Sequence, residues 1–150
     1  CMNHNITIQD TIHQKKILSK KNCSYWLSVF KKNRITLTIR IVSEIESKAL
    51  NNRYRKINKP TNILSFQIES NPLIGDLVLC HPIIKKEARA QKKKINDHYA
   101  HLLIHGCLHL MGFDHEDEDD AVAMENRERL LLKKLGIKNP YKSNIMKVDE

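Results

Sequence analysis

The hydrophobic patterns of the chain predict an α/β (α+β) fold, in which helices pack on a small mixed β-sheet. Apolar and polar residues alternate over 35–41 and 64–68, which is typical of half-buried strands. Segments with a helical spacing of apolar residues lie between and after these strands. The segment 97–111 is apolar on almost every side, which predicts a central helix buried in the core.

The predicted elements alternate along the chain, and no repeat or low-complexity linker interrupts them. In order, strands are predicted near 6–8, 35–41, 64–68 and 77–80, and helices over 14–30, 45–54, 82–94, 97–111 and 121–135. Prolines mark two boundaries, since Pro60 cannot continue a helix and Pro82 suits a first helical turn. Asn96 is placed to cap the central helix. The acidic run 114–120 favours the start of the last helix, where negative charge is stabilising.

Length and composition are those of one globular domain. A chain of 150 residues with 41% hydrophobic residues can bury a single core. We assign residues 1–136 to this domain and 137–150 to a loose basic tail. No apolar run of membrane-spanning length and no signal-peptide pattern is found, so neither a membrane segment nor export is expected. Cys23, Cys80 and Cys107 are widely spaced, as expected in the reducing cytoplasm.

The chain is strongly basic, with a net charge of +9 and a pI near 9.4. This charge indicates either a polyanionic partner or simply a lysine-rich surface. Two groups of basic residues would bind a nucleic-acid backbone if they surround one cleft; otherwise they are solvated faces. The 85–93 group is Lys85, Lys86, Arg89, Lys92 and Lys93, and the 53–59 group is Arg53, Lys56 and Lys59, close to Arg55.

The run HGCLHLMGFDH, residues 105–115, carries the clearest chemistry. His105 and His109 are four residues apart on a predicted helix, so their side chains share one face and can bind one metal ion. Gly112 ends the helix and turns the chain, so that His115 can return to the same ion. Three neutral imidazoles suit one Zn²⁺ ion and leave a fourth position open, which is typical of a catalytic zinc site.

The spacing of these histidines is that of metzincin peptidases, except at the residue after the first histidine. Peptidases have a glutamate there as general base, whereas this chain has Gly106, which cannot transfer a proton. This combination resembles the YbeY family of bacterial metal-dependent endoribonucleases, whose hallmark is HGxLHLxGxDH.

Further segments, from about residue 35 to residue 136, carry the resemblance. LNNRYRKINKPTNILSF, residues 50–66, is similar to the family segment LNxxYRxKDxPTNVLSF, and Gly75-Asp76-Leu77, Met124-Glu125 and Leu135-Gly136 follow in the family's order. Lys56 and Asn58 depart from it, since the family often has glycine and usually has aspartate there. The resemblance implies that Arg55 is a catalytic residue, and a guanidinium forms bidentate hydrogen bonds with phosphate. The chemistry of arginine alone does not distinguish this role from that of a surface arginine paired with a carboxylate.

The resemblance also implies a function, which is zinc-dependent cleavage of single-stranded RNA. The reaction would serve ribosomal RNA processing, notably 16S rRNA 3′-end maturation, and ribosome quality control. The partners would be ribosomal RNA and the small ribosomal subunit or its associated factors, in the cytoplasm. Two other functions stay open. One is a metallopeptidase-like hydrolase; the other is a non-catalytic ribosome-assembly factor whose structural zinc takes a fourth ligand from Cys80, His81 or Asp114.

Several neighbours of the histidine run have more than one interpretation. His98 and His101 are alternative ligands, RNA contacts, hydrogen-bonding residues behind the ligands or partly exposed helix residues. Asp114 either orients an imidazole or caps the last helix. Gly106 reflects the lost peptidase base, space for a phosphodiester, or packing. Glycine inside a helix costs about 1 kcal/mol relative to alanine, so a packing or substrate reason for it is expected. Cys107 is expected in the core.

Overall fold

The structure is a computed structural model that describes residues 4–13, 17–31, 34–113 and 117–138. In these ranges it contains four strands and five helices. The strands are β1 (Asn5–Asp10), β2 (Ile35–Val42), β3 (Ile63–Ser70) and β4 (Leu73–Cys80). The helices are α1 (Lys20–Leu27), α2 (Glu44–Arg55), α3 (His81–Ala90), α4 (Ile95–Leu110) and α5 (Glu118–Lys134).

The strands form one mixed sheet in the order β1-β2-β4-β3. β1, β2 and β4 run parallel, whereas β3 pairs antiparallel with β4, so β3 lies at one edge of the sheet. This confirms the predicted α+β class, with helices packed on a small mixed sheet. The strand predicted at 77–80 is the second half of β4, which already begins at Leu73.

The alternation of side chains along the strands divides the core between the two faces of the sheet. On one face, Leu37 and Ile39 belong to a large core that also contains residues of α1, α4 and α5. On the opposite face, Leu64 and Val78 form a smaller cluster, and Leu50 of α2 packs against it. Helices therefore cover both faces of the sheet, and the larger core lies under α4.

Helix α4 is the buried central helix that its apolar sequence predicts. Between Tyr99 and Leu110, every residue of α4 is buried except His101, His105 and His109. These three follow one another at intervals of four residues and form a histidine stripe along one side of the helix. The remainder of α4 packs against the sheet, α1, α3 and α5.

The end of α4 at Gly112 is also as predicted. Gly112 has a φ of 102°, in the left-handed region that glycine adopts without strain. Its amide donates to the carbonyl of His109, and the amide of Phe113 donates to the carbonyl of Leu108, both at 3.0 Å. This pair of bonds is the Schellman ending of a helix, and it turns the chain at Gly112, just after the C-cap residue Met111.

Three helix starts or ends differ from the predicted ones. α4 begins before Asn96, with Lys94 as its N-cap residue, so the prediction that Asn96 caps it is wrong. α3 ends before Lys92, whose φ of 54° is left-handed and incompatible with continuing the helix. α1 begins only after Ser19, whose side chain caps it. Its predicted start at residue 14 lies outside the described residues.

On α2 the buried side chains are polar. Ile45 is 84% exposed, whereas Ser47 and Asn51 are buried. The Ser47 hydroxyl accepts from the amide of Thr61 at 3.0 Å and donates to its carbonyl at 2.8 Å, and the Asn51 amide donates to the carbonyl of Lys59 at 2.8 Å. These bonds fix the loop between α2 and β3.

The predicted division into a domain and a basic tail stays a prediction. α5 ends at Lys134, and residues 139–150, most of the predicted tail, lie outside the described residues. Within the described ranges, no helix is long and apolar enough to span a membrane.

Gly106 faces the sheet rather than solvent. A Cβ on this residue would lie 2.7 Å from Cδ2 of Leu77 and 2.9 Å from Cδ1 of Ile63, which is closer than packed carbon atoms approach. Packing is therefore the explanation of this glycine that the geometry supports. Any side chain at this position would point into the core between α4 and the sheet.

Gly106→Ala is expected to lower the free energy of unfolding by about 1 kcal/mol in urea titrations. Overpacking costs about 1–3 kcal/mol, and the higher helix propensity of alanine recovers about 1 kcal/mol. In a Leu77→Val background the same substitution should cost less, because the contacts couple. A Gly106→Ala protein that is more stable than wild type in both backgrounds would contradict the packing explanation.

Candidate metal-binding cleft

A cleft of about 590 Å³ opens along the edge strand β3. Its walls are the end of α2, the first half of β3 with the loop before it, and the C-terminal half of α4 with His105 and His109. Three sequence-predicted site residues, Arg55, His105 and His109, line this one cleft together with Tyr54 and Phe66. The fold thus brings the candidate arginine and two candidate metal ligands to one place.

Arg55 is the last residue of α2, and its side chain is exposed. Lys56 follows it in a left-handed conformation with a φ of 57° and a ψ of 32°. Glycine adopts this conformation without strain, which gives a physical reason for the glycine that the family often has here. Because the following loop is held by Ser47 and Asn51, Arg55 projects from a fixed backbone.

His105 and His109 are neighbours on the histidine stripe. Their ring centroids are 4.7 Å apart, with the ring planes at 76°. Nitrogen atoms of two rings at this separation can reach one ion, since Zn–N bonds are about 2.0–2.1 Å long. His115 and Asp114 lie outside the described residues, so the third ligand stays a prediction. The N-cap residue of α5 is Asp117, so the interpretation that Asp114 caps the last helix is wrong.

Glu128 of α5 lies behind the stripe and is 0% exposed. Its Oε1 accepts a hydrogen bond from Nδ1 of His105 at 2.6 Å, and its Oε2 accepts one from Nε2 of His101 at 2.8 Å. Burial opposes ionisation of this carboxyl, but the bonds from His101 and His105 outweigh it and lower the pKa of Glu128 to about 2. Burial lowers the pKa of His101, in opposition to the bond with Glu128. The group is an ionised carboxylate that accepts from two imidazoles.

The residue types of this group fit a zinc site. His101, His105 and Glu128 carry candidate ligand atoms that lie within 4.8 Å of one another. Both carboxylate oxygens, however, already accept short hydrogen bonds in a fully buried position. Since His105 uses Nδ1 for its bond to Glu128, it can offer an ion only Nε2. The donor set therefore fits an ion bound by His105 and His109, with Glu128 as the hydrogen-bond acceptor behind them.

A second carboxylate forms a hydrogen bond with α4, at a histidine outside the stripe. Glu87 of α3 accepts from Nε2 of His98 at 2.9 Å and from the Asn62 amide at 3.1 Å. His98 is 2% exposed, so the interpretation of His98 as partly exposed is wrong. Burial opposes ionisation of Glu87, yet the bonds from His98 and Asn62 lower its pKa. Because Asn62 lines the cleft, these bonds fix part of its wall.

Other candidate residues lie away from the cleft. Nδ1 of His81 is 2.7 Å from the hydroxyl of Tyr99, and Cys80 packs on the opposite face of the sheet. Neither is among the described residues that line the cleft. Cys107 is fully buried in the main core, as predicted.

The two basic groups occupy different places. The 53–59 group is exposed at the end of α2 and in the loop after it, next to Arg55. The 85–93 group is exposed except for Lys93, whose pKa burial lowers, and none of its members is among the described residues that line the cleft. No member of the 53–59 group is among these lining residues either, but this group adjoins Arg55, which lines the cleft.

Sequence reasoning missed Glu128. In the sequence, its one signal is its position on the inward face of α5 with Met124, Leu131 and Leu132, because charged residues are almost never buried unless paired. The partner was not predictable, since His105 is 23 residues away and the contact depends on how α4 and α5 pack.

The fold and the cleft define an α+β protein with a histidine-lined candidate metal site at the edge of its sheet. Residues 3–136 match the family described as endoribonuclease YbeY. The chain belongs to this family.

Individual relatives agree with this assignment. The chain is 52% identical to the endoribonuclease YbeY of Alteromonas mediterranea, over 70% of each chain. It is 52% identical to that of Pseudoalteromonas translucida, over 73% of this chain and 75% of the relative. The protein of the same name from Colwellia psychrerythraea is 43% identical over 93% of this chain and 98% of its own. The solution structure of TM1509 from Thermotoga maritima has a TM-score of 0.58 and 24% identity, covering 87% of this chain and 91% of that one, and shows the same fold.

Proposed function

We propose that this protein is a zinc-dependent endoribonuclease that cleaves single-stranded RNA. The observation that carries the proposal is the presence of Arg55, His105 and His109 in one cleft. A metal site and a fixed guanidinium are groups suited to phosphodiester cleavage, which needs a Lewis acid and positive charge at the phosphate. The relatives at 43% to 52% identity carry the name endoribonuclease, which supports the same reaction class.

His105, His109 and His115 would hold one zinc ion and leave a coordination position for the substrate. When bound, zinc would supply a Lewis acid that polarises a phosphate oxygen, and it would activate water if water is the attacking group. The bond from Nδ1 of His105 to Glu128 keeps Nε2 of that ring as the only nitrogen for the ion. His109 follows one helical turn later with its ring in edge contact with His105.

Arg55 would stabilise the charge that builds on the phosphoryl group in the transition state. Its guanidinium is always ionised and forms two parallel hydrogen bonds with phosphate oxygens. Because Ser47 and Asn51 hold the loop after it, the arginine is presented by a backbone that needs little reordering when RNA binds.

The cleft favours a single strand as substrate. Its volume of about 590 Å³ is in the range of small-molecule pockets. Tyr54, which lines it, is 55% exposed, and its ring lies 5.0 Å from that of Phe66. Exposed aromatic rings beside basic residues stack with unpaired bases, and the bases of a duplex are not available for this contact.

We place the reaction in ribosomal RNA processing, at the 3′ end of 16S rRNA, and in ribosome quality control in the cytoplasm. The partners would be ribosomal RNA and the small ribosomal subunit or its associated factors. Family membership and a net charge of +9 support this placement, since a basic protein is attracted to polyanions. The 53–59 group would contact the RNA backbone next to Arg55.

The two other functions have less support. A metallopeptidase would need its general base at position 106, but a side chain there faces the sheet and not the cleft. A non-catalytic factor with a structural zinc would need a fourth protein ligand. Two of the candidates for that ligand, Cys80 and His81, are not among the described residues that line the cleft.

Cleavage of end-labelled single-stranded RNA by the purified protein tests the proposal. We expect cleavage that a chelator removes and added zinc restores, because the ion supplies the Lewis acid. The same RNA annealed to its complement should resist cleavage, because its bases are stacked and paired. Cleavage that survives the chelator, or that is equal on the duplex, would contradict the proposal.

The ends of the products identify the attacking group. A 2′,3′-cyclic phosphate means that the 2′-hydroxyl of the RNA attacks and the 5′-oxygen leaves, whereas a 5′-phosphate with a 3′-hydroxyl means that water attacks and the 3′-oxygen leaves. Casein in a parallel reaction measures the metallopeptidase alternative, and its digestion would favour that alternative.

A further inference from the structure

Glu128 is a buried carboxylate whose two oxygens are both directed at the histidine stripe. Oε1 accepts from Nδ1 of His105 at 2.6 Å, and Oε2 accepts from Nε2 of His101 at 2.8 Å. The side chain is 0% exposed. It crosses from α5 to α4 and so links the two helices at the level of the candidate metal site.

Stability alone does not explain a carboxylate at this position. The other buried residues on this face of α5 are Met124, Leu131 and Leu132, all apolar. An apolar side chain at position 128 would extend that core without the cost of removing a charge from water, and such replacements of buried ions are often neutral or stabilising. The carboxylate is therefore explained by the hydrogen bonds that it accepts from His105 and His101.

We infer that Glu128 is a positioning residue for the metal centre. Its carboxylate holds His105 in the ring orientation and tautomer that metal binding requires. This inference rests on the proposed function of the cleft. A neutral imidazole carries its proton on either nitrogen, and only the bare nitrogen can bind a metal ion. An acceptor at Nδ1 keeps the proton there and leaves the Nε2 lone pair for the ion.

His101 completes this arrangement from one turn earlier on α4. Its Nε2 binds the second oxygen of Glu128, so the carboxylate plane is held at both ends. A carboxylate with one fixed oxygen can rotate about its last bond, whereas one with two fixed oxygens cannot. The inference thus assigns His101 to the support of His105 and not to the ion.

The test compares Glu128→Gln with Glu87→Gln, since both carboxylates accept from a histidine of α4. Glutamine keeps the size of the side chain, but its amide nitrogen cannot accept a hydrogen bond, so it cannot accept from both His105 and His101. Competition with a chromophoric chelator measures the zinc affinity of each purified protein. We expect Glu128→Gln to lower zinc affinity about 10- to 100-fold, as removal of such supporting groups does. Glu87→Gln should keep the wild-type affinity, because Glu87 contacts His98 and not His105.

Nitrogen-15 NMR of the histidine rings gives a readout in metal-free protein. In the wild type we expect His105 to carry its proton on Nδ1, and in Glu128→Gln a mixture of the two tautomers. Thermal unfolding followed by circular dichroism shows whether Glu128→Gln is folded. If it is not, Glu128→Asp, which is one methylene too short to reach both rings, is measured in the same way.

His109→Ala separates this inference from the function on which it rests. Wild-type zinc affinity in a folded Glu128 variant, beside a large loss in His109→Ala, would overturn the positioning role and leave the metal site in place. An unchanged His105 tautomer in that variant would overturn it as well. Wild-type affinity in His109→Ala itself would instead overturn the metal site of the proposed function.

Discussion

His109→Ala is expected to lower kcat/KM for single-stranded RNA by ~10³-fold or more. The substitution removes one of three proposed ligands, and with it a Lewis acid worth several kcal/mol, where each 1.36 kcal/mol is tenfold in rate. Alanine has the highest helix propensity, and His109 is only half-buried at the end of α4, so the helix itself should persist. Rates on labelled RNA and the zinc content of the purified protein check this expectation together.

His98→Gln is the matched control on the same helix. Its side chain can still donate to Glu87, as His98 does, and it lies away from the ion that His105 and His109 would hold. This variant should retain one zinc ion per chain. If His109→Ala also retained a full zinc ion and wild-type activity, the ion and the reaction would both lie elsewhere on the protein.

The parts of the site that the sequence predicted are those that local geometry determines. A spacing of four residues on a helix places His105 and His109 side by side whatever surrounds them. Gly112 ends α4 through its own left-handed conformation, which needs no distant partner. The apolar character of 97–111 predicted that α4 is buried, because a helix that is apolar on nearly every side lies in a protein core.

The parts that the sequence did not predict depend on contacts between distant segments. Glu128 meets His105 because α5 packs on α4, and nothing in the spacing of either helix contains that contact. The buried face of α2 is polar because Ser47 and Asn51 form hydrogen bonds with the following loop, whereas the apolar Ile45 at the start of this helix is exposed. Such hydrogen bonds to backbone groups carry no periodicity.

Gly106 is a residue whose explanation needed both the sequence and the structure. The sequence left open a lost catalytic base, space for substrate, or packing, since each is compatible with a helical glycine. The distances from its missing Cβ to Leu77 and Ile63 favour packing. They also show that a side chain at the residue after the first histidine would point into the core, so this position is unsuitable for a catalytic base.

Arg55→Ala is expected to lower kcat by about 10²- to 10³-fold, the cost of removing one group that stabilises transition-state charge. KM should change much less, because the phosphate carries its extra charge only in the transition state, and a group that acts there alone affects kcat. Arg55→Lys should recover only part of the rate, since an ammonium keeps the charge but not the bidentate geometry. Steady-state rates over a range of RNA concentrations separate kcat from KM for each variant.

Arg53→Ala makes the same change of charge two residues earlier on α2. Arg53 is exposed, with its guanidinium 5.4 Å from the centre of the Tyr54 ring, and is not among the described residues that line the cleft. We expect this variant to raise KM, and to do so less at high salt, where contacts with the RNA backbone contribute less to binding, while kcat is kept. If Arg55→Ala behaved in the same way as Arg53→Ala, with KM raised and kcat retained, Arg55 would bind the RNA backbone without taking part in the reaction, because a contact equally strong in the ground and transition states cannot change kcat.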